Sequence, residues 1–114
     1  MSHRIDQINS LIEKELSQII LKEVDLPQGC LATITKVDTA KDLSQSYIWI
    51  SVLPTSQQEK ILKLLEDNLG HLNHLVSQKL MIRKMPKFIL KVDIREEKAS
   101  HIEELLNTVG REKS

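Results

Sequence analysis

Apolar residues recur at steps of three and four near the start of the chain, where Ile5, Ile8, Ile12, Leu16 and Ile19 stand between polar neighbours. At about 3.6 residues per turn those positions fall on one side of a helix. A helix with one buried face is therefore predicted, ending before Asp25-Leu26-Pro27. The period then changes. "LATITKVD" (31–38) and "SYIWISVL" (46–53) are rich in β-branched and aromatic residues, and in the second Ile48, Ile50 and Val52 alternate with Tyr47, Trp49 and Ser51. Successive strand side chains point to opposite faces, so two strands are predicted. The polar "TAKDLSQ" between them is short enough for an antiparallel hairpin, with Asp42 and Ser44 able to bond the backbone of the turn.

Ser56 followed by Glu59 has capping-box spacing, which predicts a helix start near Gln57. The stripe that follows, Ile61, Leu65, Leu69, Leu72, Val76 and Leu80, stays in phase across Gly70. An interior glycine costs roughly 1 kcal/mol relative to alanine, so its presence asks for a reason. Helices separated by a loop of several residues would share a phase only by chance, and the pattern predicts one kinked helix bending between residues 68 and 71. A missing side chain at Gly70 would either admit another backbone, such as a sugar-phosphate chain, to newly exposed N–H groups, or allow tight packing against the sheet. Both readings stay open at this level.

Pro86 pushes Met85 out of helical geometry, and Phe88, Leu90 and Val92 then alternate with Ile89, Lys91 and Asp93 as a third strand, beside either the first or the second. Ser100 with Glu103 opens a short last helix carrying Ile102, Leu105, Leu106 and Val109, with Gly110 at its end. Three strands with one apolar face need helices over that face, so the expected fold is an α+β two-layer sandwich. Residues 1–109 form one domain and 110–114 a flexible C-terminal tail.

Composition narrows the function classes. With 40% hydrophobic and 28% charged residues in 114, the chain has the usage of one globular domain. The single cysteine, Cys30, excludes an intrachain disulfide and a cysteine-based zinc site, which fits a reducing cytoplasm. The sequence has no apolar run near the ~20 residues of a membrane span, and its start lacks a signal-peptide pattern. Formal net charge is zero, yet the charge is sorted along the chain. Residues 76–91 carry Lys79, Arg83, Lys84, Lys87 and Lys91 and no acid, whereas 93–114 carry six acids against four bases. The basic run could neutralise nucleic-acid phosphates, or could simply oppose a helix dipole from a solvated surface.

Candidate chemistry is otherwise sparse. His71 and His74 are three apart on the polar side of the kinked helix, but a metal site would need a third ligand and RNA cleavage would need both imidazoles around one phosphodiester. Solvated or RNA-facing histidines are the better reading. Tyr47 and Trp49 share a strand face and could stack on bases, although sheet packing is the commoner role for such a pair. The sequence contains no nucleophile elbow, P-loop or dinucleotide fingerprint, so no catalytic residue, metal or cofactor is assigned.

Three stretches then resemble a known family. They are "RIDQINSLIEKELSQII" with Arg4, Ile8, Glu15 and Leu16; "ITKVDTAKDLSQSYIWISVL" with Asp42-Leu43-Ser44; and "LNHLVSQKLMIRKMPKFILKVD" with Leu80, Arg83, Pro86 and Asp93. With "HIEELL" (101–106) they resemble, in order and spacing, bacterial ribosome-binding factor A. The resemblance implies a type II KH-like fold in which the usual Gly-x-x-Gly loop is replaced by an Ala-x-Gly kink. The corresponding residues are Asn68-Leu69-Gly70, with Asn68 in place of the alanine, and asparagine caps helices well enough to allow a sharper break. It also implies a non-enzymatic, monomeric cytoplasmic factor that binds free small ribosomal subunits through rRNA. Processing of the five-prime end of that rRNA, growth in the cold and release by a ribosome-maturation GTPase are implied in the same way. The RNA-binding residues expected on this basis are Lys79, Arg83, Lys84, Lys87 and Lys91, with Arg4 and Lys36 as additions. The alternative is a general RNA-binding or protein-interaction adaptor on the same fold.

Overall fold

The computed structural model describes residues 3–93. The helix expected at 100–109 and the tail at 110–114 lie outside the described residues. The first helix, α1 (His3–Glu23), buries Ile8, Ile12, Leu16, Ile19 and Ile20, and has Asp6 in its first turn and Lys22 in its last, where each charge opposes the helix dipole. Two strands follow, β1 (Leu31–Thr39) and β2 (Gln45–Leu53), paired antiparallel from Leu31 opposite Leu53 to Thr39 opposite Ser46. After a single 3-10 turn at Thr55–Gln57 come α2 (Gln58–Asp67), α3 (Leu69–Leu80) and β3 (Lys87–Val92).

The third strand lies beside the second and parallel to it, with Gln45 opposite Lys87 and Ile50 opposite Val92. Sheet order is β1-β2-β3, and the chain reaches β3 through both helices, as a parallel pair requires. The interior forms where Ile34, Val37, Ile48, Ile50, Val52 and Phe88 from the sheet meet the buried faces of the helices. From α2 and α3 these are Ile61, Leu65, Leu72 and Val76, with Leu69 and Leu80 half-buried against them. The polar exceptions are satisfied: the Thr39 and Ser46 hydroxyls bond each other at 2.7 Å, and Asn9 Oδ1 accepts the Thr39 N–H at 3.0 Å.

One local expectation is corrected. Ser56 caps nothing, because it lies inside the 3-10 turn; α2 does begin beside Gln57, at Gln58, but with no side-chain cap. Pro54 has extended geometry with φ −72° and ψ 155°, so it, and not a hydroxyl, marks the change from strand to helix. The stripe through the helical region stays in phase, and the break falls within the expected 68–71, at Asn68 with φ −103° and ψ 3°. Gly70 is already inside α3.

Candidate nucleic-acid interface

Three turns of the chain meet at one rim of the sandwich. The first is the β1–β2 turn, where the Ser44 N–H donates to Asp42 Oδ1 at 3.0 Å and Leu43 takes a left-handed φ of 62°. The Ser44 hydroxyl, and after it the Ser44 N–H, hold the Asp42 carboxyl below its ordinary value, and the charge of Lys84 adds to the effect. The second element is the α3–β3 loop, which leads into β3 beside this turn. The Lys87 N–H donates to the Ser44 carbonyl at 3.1 Å and fixes the same junction through the backbone.

The third element is the break between α2 and α3. Asn68 Nδ2 donates back to the Leu64 carbonyl at 2.8 Å, so its side chain finishes α2 and leaves the first turn of α3 without a side-chain cap. The Leu72 N–H then donates to the Asn68 carbonyl at 2.9 Å to start α3. One turn into α3, Asn73 Nδ2 donates to the Pro86 carbonyl at 3.0 Å and ties that helix to the loop before β3. Between these elements lies a groove of about 400 Å³ lined by Ser44, Leu69, Gly70, Asn73, Met85, Pro86, Lys87 and Phe88. A Cβ placed on Gly70 would meet nothing within 4 Å. Packing against the sheet therefore does not explain this glycine, and the space beside it is open.

The basic residues singled out in the sequence divide among three places. Lys79 is in the last turn of α3; Met81 then ends the helix in left-handed geometry (φ 56°), and Arg83 and Lys84 project from the loop beyond, exposed. Lys87 stands in the groove wall, and Lys84 is near enough to the β1–β2 turn for its charge to act on Asp42. Lys36 and Lys91 are elsewhere: both stand opposite Trp49, one on each neighbouring strand, on the face of the sheet turned away from the helices. Arg4 is exposed in the first turn of α1, a different element again. His71 Nε2 lies 3.6 Å from Glu23 Oε1 across the α1–α3 contact, and His74 is exposed. Among the described residues no group of three or more His, Cys, Asp or Glu side chains comes together as a metal site would need.

Sequence reasoning missed Asn73 and Ser44 as builders of the groove. Their signal is weak, because each acts through one hydrogen bond or backbone carbonyl whose partner is distant in sequence. The arrangement offers exposed cations at the rim, an uncapped helix start and an open glycine, all suited to a phosphate backbone. No helix among the described residues is long and apolar enough to cross a membrane.

Comparison with known proteins agrees with this architecture. A crystal structure of ribosome-binding factor A from Thermus thermophilus superposes with a TM-score of 0.71 at 17% identity, covering 79% of this chain and 97% of that one, a likeness of fold alone. The fold is thus the KH-like α+β sandwich. A ribosome-binding factor A from Desulfitobacterium hafniense (strain DSM 10664 / DCB-2) is 32% identical over 111 residues, 96% of this chain and 89% of the relative. One from Clostridium botulinum (strain Loch Maree / Type A3) is 29% identical over 114 residues, 98% of this chain and 95% of the relative. The family model described as ribosome-binding factor A matches residues 4–106, and the chain belongs to that family.

Proposed function

We propose that this chain is a non-enzymatic cytoplasmic assembly factor that binds the small ribosomal subunit through its rRNA, reading shape and phosphates and not a base sequence. It acts late in subunit maturation, including processing of the five-prime end of the small-subunit rRNA precursor, and a ribosome-maturation GTPase releases it. Membership of the ribosome-binding factor A family supports the partner, and one observation carries the mode of binding. The groove at the helix break leaves Gly70 open, with Lys87 in its wall and Arg83 and Lys84 on the adjoining loop. No Gly-x-x-Gly loop is present to clamp a strand in the ordinary KH manner, so contact with the phosphates of a folded rRNA is the natural use of such a rim.

Arg83→Glu with Lys84→Glu tests the reading, since both side chains are exposed and their reversal leaves the interior untouched. The double variant should keep its thermal midpoint and lose co-sedimentation with small subunits. The slope of affinity against salt should fall by roughly 0.7 to 0.9 for each phosphate that is no longer neutralised. Unchanged sedimentation would remove the rim from the interface, and wild-type binding indifferent to salt would favour a protein-interaction adaptor instead.

A further inference from the structure

The face of the sheet turned away from the helices is built differently from a merely solvated one. β2 presents Gln45, Tyr47, Trp49 and Ser51 there, all half-buried, while Ser46, Ile48, Ile50 and Val52 are fully buried on the other side. The register sets Lys36 on β1 and Lys91 on β3 to either side of Trp49, and Asp38 and Ile89 to either side of Tyr47. The Tyr47 hydroxyl accepts a hydrogen bond from Gln45 Nε2 at 2.9 Å, and Lys91 Nζ lies 5.4 Å from the ring centroid. Thr35, the extra residue of a bulge between Ile34 and Lys36, donates to Asp93 Oδ2. Among the described residues this face thus carries the lysines at positions 36, 87 and 91 with Asp38 and Asp93, and Asp93 is engaged by Thr35.

We propose that this face is a stacking platform for unpaired bases of an RNA strand, with Trp49 as the principal ring and Lys36 and Lys91 holding the flanking phosphates. The inference rests on the RNA-binding reading above and adds a second contact surface to it. Continuity supports it: Lys87 stands in the wall of the groove and also opens β3, so a strand leaving the groove along β3 passes Lys91 and arrives at Trp49. Tyr47 and Trp49 are two residues apart, roughly 7 Å along a strand, about twice the 3.4 Å rise per nucleotide of stacked bases. The platform therefore takes two splayed bases and not an intact stack. As Lys91 moves from the tyrosine ring to a phosphate, it uncovers the second ring. Base–aromatic stacking tolerates any base, which agrees with recognition that ignores sequence.

Trp49 is the only tryptophan in the chain, so its emission reports on this face alone. The full chain is titrated with an unstructured, end-labelled ten-nucleotide RNA at low salt, following label anisotropy and Trp49 emission together. Both should change with one midpoint; Trp49→Ala should weaken binding by about five-fold or more, and Trp49→Phe should restore most of it. A Trp49→Ala variant that fails to fold leaves the emission of the wild-type chain as the deciding signal. Rising anisotropy with constant emission would overturn the platform and leave RNA binding at the rim intact. Absence of any anisotropy change overturns the platform, and the RNA reading falls with it only if small-subunit sedimentation is also negative. Emission that shifts with protein concentration before RNA is added would make a second copy of the chain the occupant and overturn the proposal.

Discussion

The interior between helices and sheet and the rim where three turns meet are held together by different means. The interior rests on apolar side chains, among them Ile12, Ile48, Ile61 and Val76, each of which is wholly removed from solvent. At the rim the contacts are backbone groups and short amides: Lys87 N–H to Ser44, Asn73 to Pro86, Asn68 to Leu64. Burial of apolar area is non-directional and tolerates small shifts, whereas a hydrogen bond fixes its partners to within tenths of an ångström. The interior therefore supplies stability, and the rim supplies geometry with little stability of its own.

The largest expected effect comes from cutting into the interior. Ile50 is 1% exposed, and Ile50→Ala should lower the unfolding free energy by about 2–5 kcal/mol in chemical denaturation, with the affinity of the remaining folded fraction for small subunits unchanged. A loss below about 1 kcal/mol would mean that the sheet face collapses to fill the gap, contrary to the division drawn above.

Gly70→Ala sharpens the comparison because it should separate the two properties. Gly70 is helical and a Cβ there meets nothing, so the variant should gain roughly 0.5–1 kcal/mol of stability. Binding should weaken in the same variant if a phosphate backbone occupies the open space, as small-subunit sedimentation would detect. A more stable chain with wild-type affinity would move the RNA away from the helix break.

The smallest effect is expected at Asp42, which is exposed. It ionises more readily in the folded turn than in the unfolded chain, so its contribution is complete above its ordinary value of 3.8 and disappears as pH falls through the lower folded value. Asp42→Asn should slightly lower the neutral plateau of a plot of thermal midpoint against pH and flatten its acid limb, so that the two chains converge in acid. An unchanged acid limb would mean that the turn holds its shape without the carboxylate.

The same division decides what could be seen in the sequence. The α1 stripe, the alternation in β2 and the phase kept from Ile61 to Leu80 all express burial on one side, and periodicity measures that directly. The neighbour of β3 is not legible there, because alternation fixes which face a residue takes and not which strand it pairs with. Ser56 and Glu59 have capping-box spacing, yet the geometry of Pro54 starts the helical region earlier and shifts Ser56 inside the turn. At the break the glycine draws attention, while Asn68 does the bending through its own amide. Which lysines share a surface is hidden for the same reason: Lys36 and Lys91 become neighbours only through the register of two different strand pairs.

The parallel seating of β3 has a further consequence for the order in which the molecule assembles. β1 and β2 are joined by a tight turn, so their pairing closes only a short loop, whereas β3 cannot find β2 until the whole segment from Pro54 to Pro86 has been brought back. The strand that carries Lys87 and Lys91 is thus the one with the most distant partner and, among the described residues, a place at the sheet's edge. Any ligand that grips it acts as a clasp on the last piece to join, and its grip is repaid as resistance of that strand to local opening.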